Sequence, residues 1–473
     1  MKFICTVCKW EYDEQKGYPE GDIPPNTKFD DLPDTFKCPV CFSEKNLFEK
    51  IEEEVTDTDH LSSDKQLSNQ HNVVPNKIEP ELVSIINKAK YGKIELSSMR
   101  SLKHSSQLDD ILFVPGQLHH KPLRDDEVDV NLKTIIGPSA KYPMKIDLPY
   151  FVSHMSFGAL SKEAKIALAK GSAKIKTAIG SGEGGMLTEE KEASHQYIFE
   201  YSTGQFGVTD EVLKQADAIE IKIGQAAKAG LGGHLPGDKV TEEIAQVRGV
   251  KPNSSVVSPA NHRDINNKQE LKEKIEWLRS KSNGTPIGIK LVAGNIELDL
   301  DEALYAEPDF ITFDCRGGAT GTSPTHVKDN FGIPVPFALH RARTYFKKNN
   351  IQNVSLIVAG GIRTSADIAK CLAMGADCVA LGTVAMIGIG CEQYRQCHTG
   401  RCPTGVATQD PELRKKLDIG HSSEMLYNLF KVYQHEIEDY VKIVGKKDVH
   451  DLDLDDLVTL NHDLAKYAGI KHS

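Results

Sequence analysis

From about residue 145 onward, short apolar runs alternate with amphipathic stretches, and no other feature restricts the fold as tightly. The runs are Tyr150–His154, Ala173–Ile179, Tyr197–Tyr201, Ala218–Ile223, Ile287–Val292, Phe310–Asp314, Val354–Ala359 and Cys378–Leu381. Between them Lys162–Lys170, Glu242–Val247, Lys268–Arg279 and Ser365–Met374 carry apolar residues at helical spacing. Strands separated by helices pair in parallel, and eight of them close on themselves. The expectation is an α/β fold, a (β/α)8 TIM barrel with ligands at the C-terminal ends of its strands. A ninth run, Ser255–Ser258, does not fit the count.

The cysteines and the charge divide the rest. Of ten cysteines, four lie within residues 5–41 and three within 391–402. Such clustering favours metal over disulfides. Residues 1–50 sum to −3 and residues 51–85 to −6, so most of the net charge of −10 lies ahead of a nearly neutral body. Phosphate recognition needs a basic face, so nucleic acid is not the expected partner. No apolar run is long enough to cross a bilayer. The first residues lack the apolar core of a signal peptide. The expected setting is the cytoplasm. Residues 51–85 are acidic and poor in aromatic residues, which reads as a flexible linker. Its roughly 30 most polar residues would reach about 30 Å. The expected domains are therefore 1–50, a linker 51–85, and 86–473.

In the first domain Cys5-x2-Cys8 and Cys38-x2-Cys41 stand 29 residues apart. Two such turns close a tetrahedral S₄ site for zinc or iron. Trp10, Tyr12, Tyr18, Phe29 and Phe36 offer a small aromatic core. The stretch Gly21-Asp-Ile-Pro-Pro-Asn-Thr-Lys-Phe29 through Cys38-Pro-Val-Cys41 resembles rubredoxins, over all fifty residues. That resemblance implies one Fe in Cys₄ coordination passing single electrons, with Zn possible. Rubredoxins carry Gly after the second cysteine of each pair; here Lys9 and Phe42 stand there.

Within the barrel, Val358-Ala-Gly360-Gly361-Ile-Arg363 and Ala380-Leu-Gly382-Thr383 fall where strands seven and eight should end, a common phosphate-binding position. Met155-Ser156-Phe-Gly158, Gly180-Ser181-Gly182-Glu-Gly-Gly185 and Asp314-Cys-Arg-Gly317-Gly318 are further turns on the same face. Glycine there lets a ligand approach the backbone. Lys290 lies mid-strand, where burial is costly without a partner. A flavin N1/O2 edge or an acid such as Asp314 would satisfy it.

Two longer stretches carry a second resemblance. Glu220-Ile-Lys222-Ile-Gly-Gln225-Ala-Ala-Lys228 continues to Gly233-His234-Leu-Pro-Gly-Asp-Lys239. Cys391-x5-Cys397-x4-Cys402-Pro-Thr-Gly405 follows near the end of the barrel. Both are similar to the synthase domain of glutamate synthase, from roughly 109 to 412. The resemblance implies FMN, and a [3Fe–4S] cluster on Cys391, Cys397 and Cys402, whose three thiolates suit three irons. It also implies that Lys222, Gln225, Lys228 and Arg248 surround the flavin and the carboxylates of 2-oxoglutarate. Cations and an arginine fork suit a dicarboxylate. Cys315, Cys371 and Cys378 read as small buried hydrophobes. His398 reads as a donor to sulfur or backbone rather than a ligand. Two positions depart from the family: His234 replaces Gln, and Phe313-Asp314-Cys315-Arg316 replaces the usual start of its loop.

The expected function is reduction of 2-iminoglutarate, from 2-oxoglutarate and ammonia, to glutamate. Electrons would arrive through the rubredoxin-like domain from a donor protein or reductase. The glutaminase domain of complete glutamate synthases is not expected, so ammonia would come from solution or a separate subunit. Two alternatives stay open: a reductase or dehydrogenase of the same barrel acting on another amine, acid or amide, and an electron-transfer subunit of a larger complex.

Overall fold

In the computed structural model all eight runs contribute a strand to one closed parallel barrel. The strands are β1 (Tyr150–Val152), β2 (Ala178–Gly180), β3 (Gln196–Tyr201), β4 (Ala218–Lys222), β5 (Ile287–Val292), β6 (Phe310–Asp314), β7 (Ser355–Ala359) and β8 (Cys378–Leu381). They are hydrogen-bonded in chain order, and β8 returns to β1. The structure describes residues 1–5, 10–18, 21, 23–33, 35–39, 44–50, 82–103 and 108–473. They fall into two compact units, Met1–Val83 and Ser84–Ser473.

Two expectations shift. The second run begins later than its apolar pattern, because helix Lys162–Lys174 extends through Ala173. The chain then reverses at Lys176, whose φ is 55°. Helix and strand share an unbroken apolar sequence there, and periodicity could not separate them. The ninth run becomes strand Val256–Val257, which pairs with His234–Leu235 in a separate hairpin. It lies within the long insertion between β4 and β5.

Local signals set the helix starts. Ser161 Oγ accepts from the Ala164 N–H, and Asn267 Oδ1 accepts from the N–H groups of Gln269 and Glu270. Thr364 and Asp367 form a reciprocal capping box. A 25-residue helix, Ile419–Ile443, packs along Lys162–Lys174, where a Cβ at Gly171 would come within 2.9 Å of Leu426 Cβ. The helix also takes a buried hydrogen bond on Phe430 O from the Tyr150 hydroxyl, at 2.8 Å.

Side-chain alternation divides the barrel interior into layers. Its lower part is apolar: Phe151, Ala178, Ile198, Ala218, Phe310, Ile357 and Cys378 pack with Ile136, Met144 and Ile146. The last three come from hairpin Thr134–Ile136/Met144–Ile146. The Phe310 ring fills the centre, where a Cβ at Gly288 would meet it at 2.1 Å.

The first unit is a three-stranded antiparallel sheet of Lys2–Cys5, Glu11–Asp13 and Phe48–Lys50. Tyr12, Phe29, Leu32 and Phe36 form its core, with Trp10 and Tyr18 partly buried against it. Phe3 and Phe48 join that core, and Phe3 stacks on Phe29 with centroids 4.2 Å apart. Cys5 and Cys38 are buried. Cys8, Cys41, Lys9 and Phe42 lie outside the described residues, as does the expected linker up to residue 81. Residues 82–85 belong to helix Leu82–Tyr91. Among the described residues no helix is long and apolar enough to cross a membrane.

Because Phe310 plugs the barrel, Phe310→Ala should lower barrel stability by about 3–5 kcal/mol. Leu298→Ala, at an exposed helix position, should stay within about 0.5 kcal/mol of the parent. Thermal denaturation followed by circular dichroism checks both.

Candidate functional site

Above the apolar layer the inward positions become charged. On β3 the inward residue after Ile198 is Glu200. On β4 Ala218 is followed by Glu220 and Lys222, and on β5 Gly288 by Lys290. On β6 Phe310 is followed by Thr312 and Asp314. These groups face the C-terminal mouth of the barrel, together with His154 just past β1 and Glu183 past β2.

They neutralise one another pairwise. Lys222 Nζ lies 2.8 Å from Glu183 Oε2 and 3.3 Å from Glu200 Oε1. Lys290 Nζ lies 3.1 Å from Glu200 Oε2. Of the partners left open for Lys290, the structure shows a nearby acid, Glu200, with Asp314 acting at longer range. Asp314 instead accepts the Ala226 N–H at 3.0 Å. His154 Nε2 is 3.0 Å from Glu220 Oε2. Burial works against both ammonium groups, yet Glu200 and its neighbours outweigh it and raise both pKa values. The same two lysines overcome the burial of Glu200 and hold its carboxyl below the usual range. For Asp314 burial prevails and its pKa is raised, despite Lys290.

A roof from the β4–β5 insertion encloses this floor. Helix Glu242–Arg248 is capped by Thr241 and ends at Gly249. It packs on Phe157, Leu187, Leu235 and Val256. That packing places Arg248 over the mouth, with Nη2 donating to Phe157 O at 2.8 Å and the guanidinium 5.5 Å from the Phe206 ring centre. Arg248 Nε is buried without a hydrogen-bond partner. Burial lowers its pKa to about 10, against the pull of Glu183. Burial, then Lys222, brings the Lys228 amine down to about 8. A site with underused buried cations is prepared for an anion.

The cavity between floor and roof has a volume of about 420 Å³, within the range of small-molecule sites. It gathers Lys222, Gln225, Lys228, Arg248 and Lys290. It also gathers Met155, Ser156, Gly158, Gly317, Gly318, Gly360, Gly361, Gly382 and Thr383. At Gly360 φ is 116° and a Cβ would lie 2.4 Å from Cys315 O, so only glycine fits that β7 turn. At Gly382, past β8, a Cβ would meet nothing within 4 Å, which leaves bare backbone facing open space. The residues therefore fit a flavin phosphate and ring.

Ser181 is the exception among the anticipated residues. It does not line the cavity; its Oγ accepts the Glu200 N–H at 2.9 Å and its carbonyl accepts from Lys165 at 2.7 Å. Lys165 is buried, donates also to Met155 O, and pairs with Glu190 at 2.7 Å. It ties the β1 and β2 loops together from behind. His154, Lys165, Glu183, Glu200 and Glu220 were absent from the sequence-derived site. Charged residues inside apolar runs were the available signal for Glu200 and Glu220, the same signal that singled out Lys290.

His234 sits exposed on the rim, and Ala319 and Thr320 line the cavity. Arg316 turns away, donating to Asp329 O at 2.9 Å.

Cys391, Cys397 and Cys402 line one small cavity beyond β8. Burial, with Cys397 and Cys402 adding to it, pushes the Cys391 thiol up to about 11. Among the described residues the only three ligand atoms all within 4.8 Å of one another belong to His154, Glu200 and Glu220. Residues 98–100 strap this loop: Arg395 donates to Ser98 O and Arg100 O, and Lys328 to Ser98 O and Met99 O. The His398 ring pairs with the Ser98 hydroxyl at 2.8 Å and also hydrogen-bonds the Arg395 backbone, in keeping with a donor rather than a ligand. Cys315, Cys371 and Cys378 are fully buried, as anticipated.

Comparison with known proteins agrees with this geometry. The family described as the conserved region in glutamate synthase matches residues 77–447, and rubredoxin matches residues 2–48. The archaeal glutamate synthase [NADPH] of Methanocaldococcus jannaschii is 35% identical over 404 residues, covering 78% of each chain. The archaeal-type glutamate synthase [NADPH] of Thermotoga maritima is 34% identical over 391 residues, covering 77% of this chain and 76% of its own. A glutamate synthase large subunit-like protein of Rhizobium meliloti is 32% identical over 408 residues, covering 82% and 92%. This chain belongs to the glutamate synthase family of oxidoreductases and carries a rubredoxin domain at its N-terminal end.

Proposed function

We propose that this protein forms glutamate from 2-oxoglutarate and ammonia, with FMN in the barrel cavity, a [3Fe–4S] cluster on Cys391, Cys397 and Cys402, and iron on Cys5, Cys8, Cys38 and Cys41. The observation that carries this reading is the convergence of Lys222, Lys228 and Arg248 in one enclosed cavity above Lys290. Ammonia condenses with the C2 carbonyl of 2-oxoglutarate, releasing water; two electrons and two protons then reduce the imine to the amine, which takes a third proton from solvent to give glutamate. Bound FMN would supply the electron pair, and the iron sites would replenish it one electron at a time. Electrons would enter at the rubredoxin domain from a donor protein or reductase. Ammonia would come from solution or a separate subunit.

The chain's own residues supply binding and orientation. Arg248 and Lys228 hold the carboxylates from the roof, and Lys222 holds from the floor. Gln225 fixes the orientation between them. Gly360, Gly361, Gly382 and Thr383 take the phosphate, while Met155, Ser156, Gly158, Gly317 and Gly318 leave room for the ring. The roof excludes water, which strengthens each charge interaction. His234 at the rim favours a second reading, in which a different small acid or amide enters the same cavity.

Anaerobic dithionite reduction followed by 2-oxoglutarate and ammonium should reoxidise the flavin and yield glutamate in proportion. Flavin that stays reduced would sink the assignment. Arg248→Ala should weaken 2-oxoglutarate binding by about 10–100-fold in an equilibrium titration, the range for a charged hydrogen bond. Lys228 bears on pH. Its amine has a pKa of about 8 in the free cavity, so it is charged below pH 8 and neutral above. Affinity for 2-oxoglutarate should therefore fall as pH climbs past 8, and Lys228→Met should flatten that part of the profile.

A further inference from the structure

Lys222 and Lys290 are register partners on neighbouring strands, so two ammonium groups stand side by side inside the barrel. Glu200 reaches both from β3, one carboxylate oxygen to each: Oε1 to Lys222 at 3.3 Å and Oε2 to Lys290 at 3.1 Å. Its position is rigid, since its N–H donates to Ser181 Oγ and its side chain is about 1% exposed. Other charged or titratable groups near it are His154, with Nδ1 3.6 Å from Oε2, Lys165, Glu183, Glu220 and Asp314. His154, Glu200 and Glu220 have the ligand types of a divalent-ion site. The two ammonium groups already occupy both oxygens of Glu200.

The two lysines differ in what else they face. Lys222 has a second acid, Glu183, and Glu183 Oε1 is buried without a hydrogen-bond partner. Lys222 also lies within electrostatic range of Lys228, and both line the cavity with Arg248, so Lys222 belongs to its cation-rich side. Lys290 has Glu200 as its direct ion pair, with Glu220 and Asp314 acting at longer range. Those two acids keep Lys290 charged if Glu200 is neutralised.

We propose that Glu200 is a positioning residue that couples substrate binding to the flavin, as the carboxylate in direct ion pairs with both the substrate-facing Lys222 and the flavin-facing Lys290. This rests on the functional reading above. A carboxylate arriving at Lys222 satisfies that ammonium, Glu200 then acts more fully on Lys290, and the positive charge felt by the flavin drops. Reduced flavin, which carries the extra negative charge, becomes less stable, so the midpoint potential falls when substrate binds.

The test is spectroelectrochemical titration of the FMN-loaded full chain, with and without saturating 2-oxoglutarate. In the parent, 2-oxoglutarate should lower the flavin midpoint. Glu200→Gln should raise the midpoint of the free protein and leave a substrate shift roughly half as large or less. Glu200→Asp, which restores the charge, should move both values back toward the parent. An equal midpoint in Glu200→Gln and parent, or a shift of full size in the variant, overturns the proposal. Should Glu200→Gln not fold, the parent alone still decides: a midpoint unmoved by 2-oxoglutarate overturns it. A chain that takes up no FMN brings down the functional reading itself, which separates the two failures.

Discussion

Charge compensation inside the barrel mouth is the constraint on which the site depends. Lys222, Lys290, Glu183, Glu200, Glu220 and Asp314 all leave water, and an isolated ion there would cost several kcal/mol. Pairing offsets that cost only if several strands end at matching heights. Register supplies the match, with Glu200 opposite Glu220 and Lys222 opposite Lys290. The apolar layer beneath fixes those heights, because Phe310 over Gly288 leaves no room for the strands to slide.

Around that floor the loops divide the work. Lys165 ties the β1 and β2 loops from behind through two carbonyls. The β4–β5 insertion holds Arg248 over the cavity through a small apolar cluster of its own. The cysteine loop beyond β8 is held by cations on carbonyls rather than on sulfur: Arg395, Lys328, and Lys239, which donates to His398 O at 3.1 Å. Those positive charges surround Cys391, Cys397 and Cys402 without taking up their sulfurs. The cation-lined cavity and the cysteine loop thus occupy adjoining parts of one face.

Much of this was legible beforehand because it follows local rules. Short apolar runs located all eight strands, and Ile287–Val292, Phe310–Asp314 and Cys378–Leu381 matched residue for residue. Glycine at the ends of β7 and β8, and the grouped cysteines, marked ligand positions because backbone approach and thiolate ligation each demand particular residues. What escaped was pairing across strands. Glu200 lies in the apolar run Tyr197–Tyr201 and reads there as a tolerated interruption, and His154 reads as a strand end. Ser181 sits in a glycine-rich turn, yet its hydroxyl supports the strand beside it.

The sequence by itself determined the fold class and the kinds of group the site must contain, since composition, spacing and period depend only on neighbours along the chain. Tertiary structure alone decided which charges meet. Glu200 and Lys290 are 90 residues apart, and their contact follows from barrel closure, which sets strand heights and inward faces together. Whether Lys290 pairs with Asp314 or Glu200 is a difference of one strand neighbour, and no local rule carries that information.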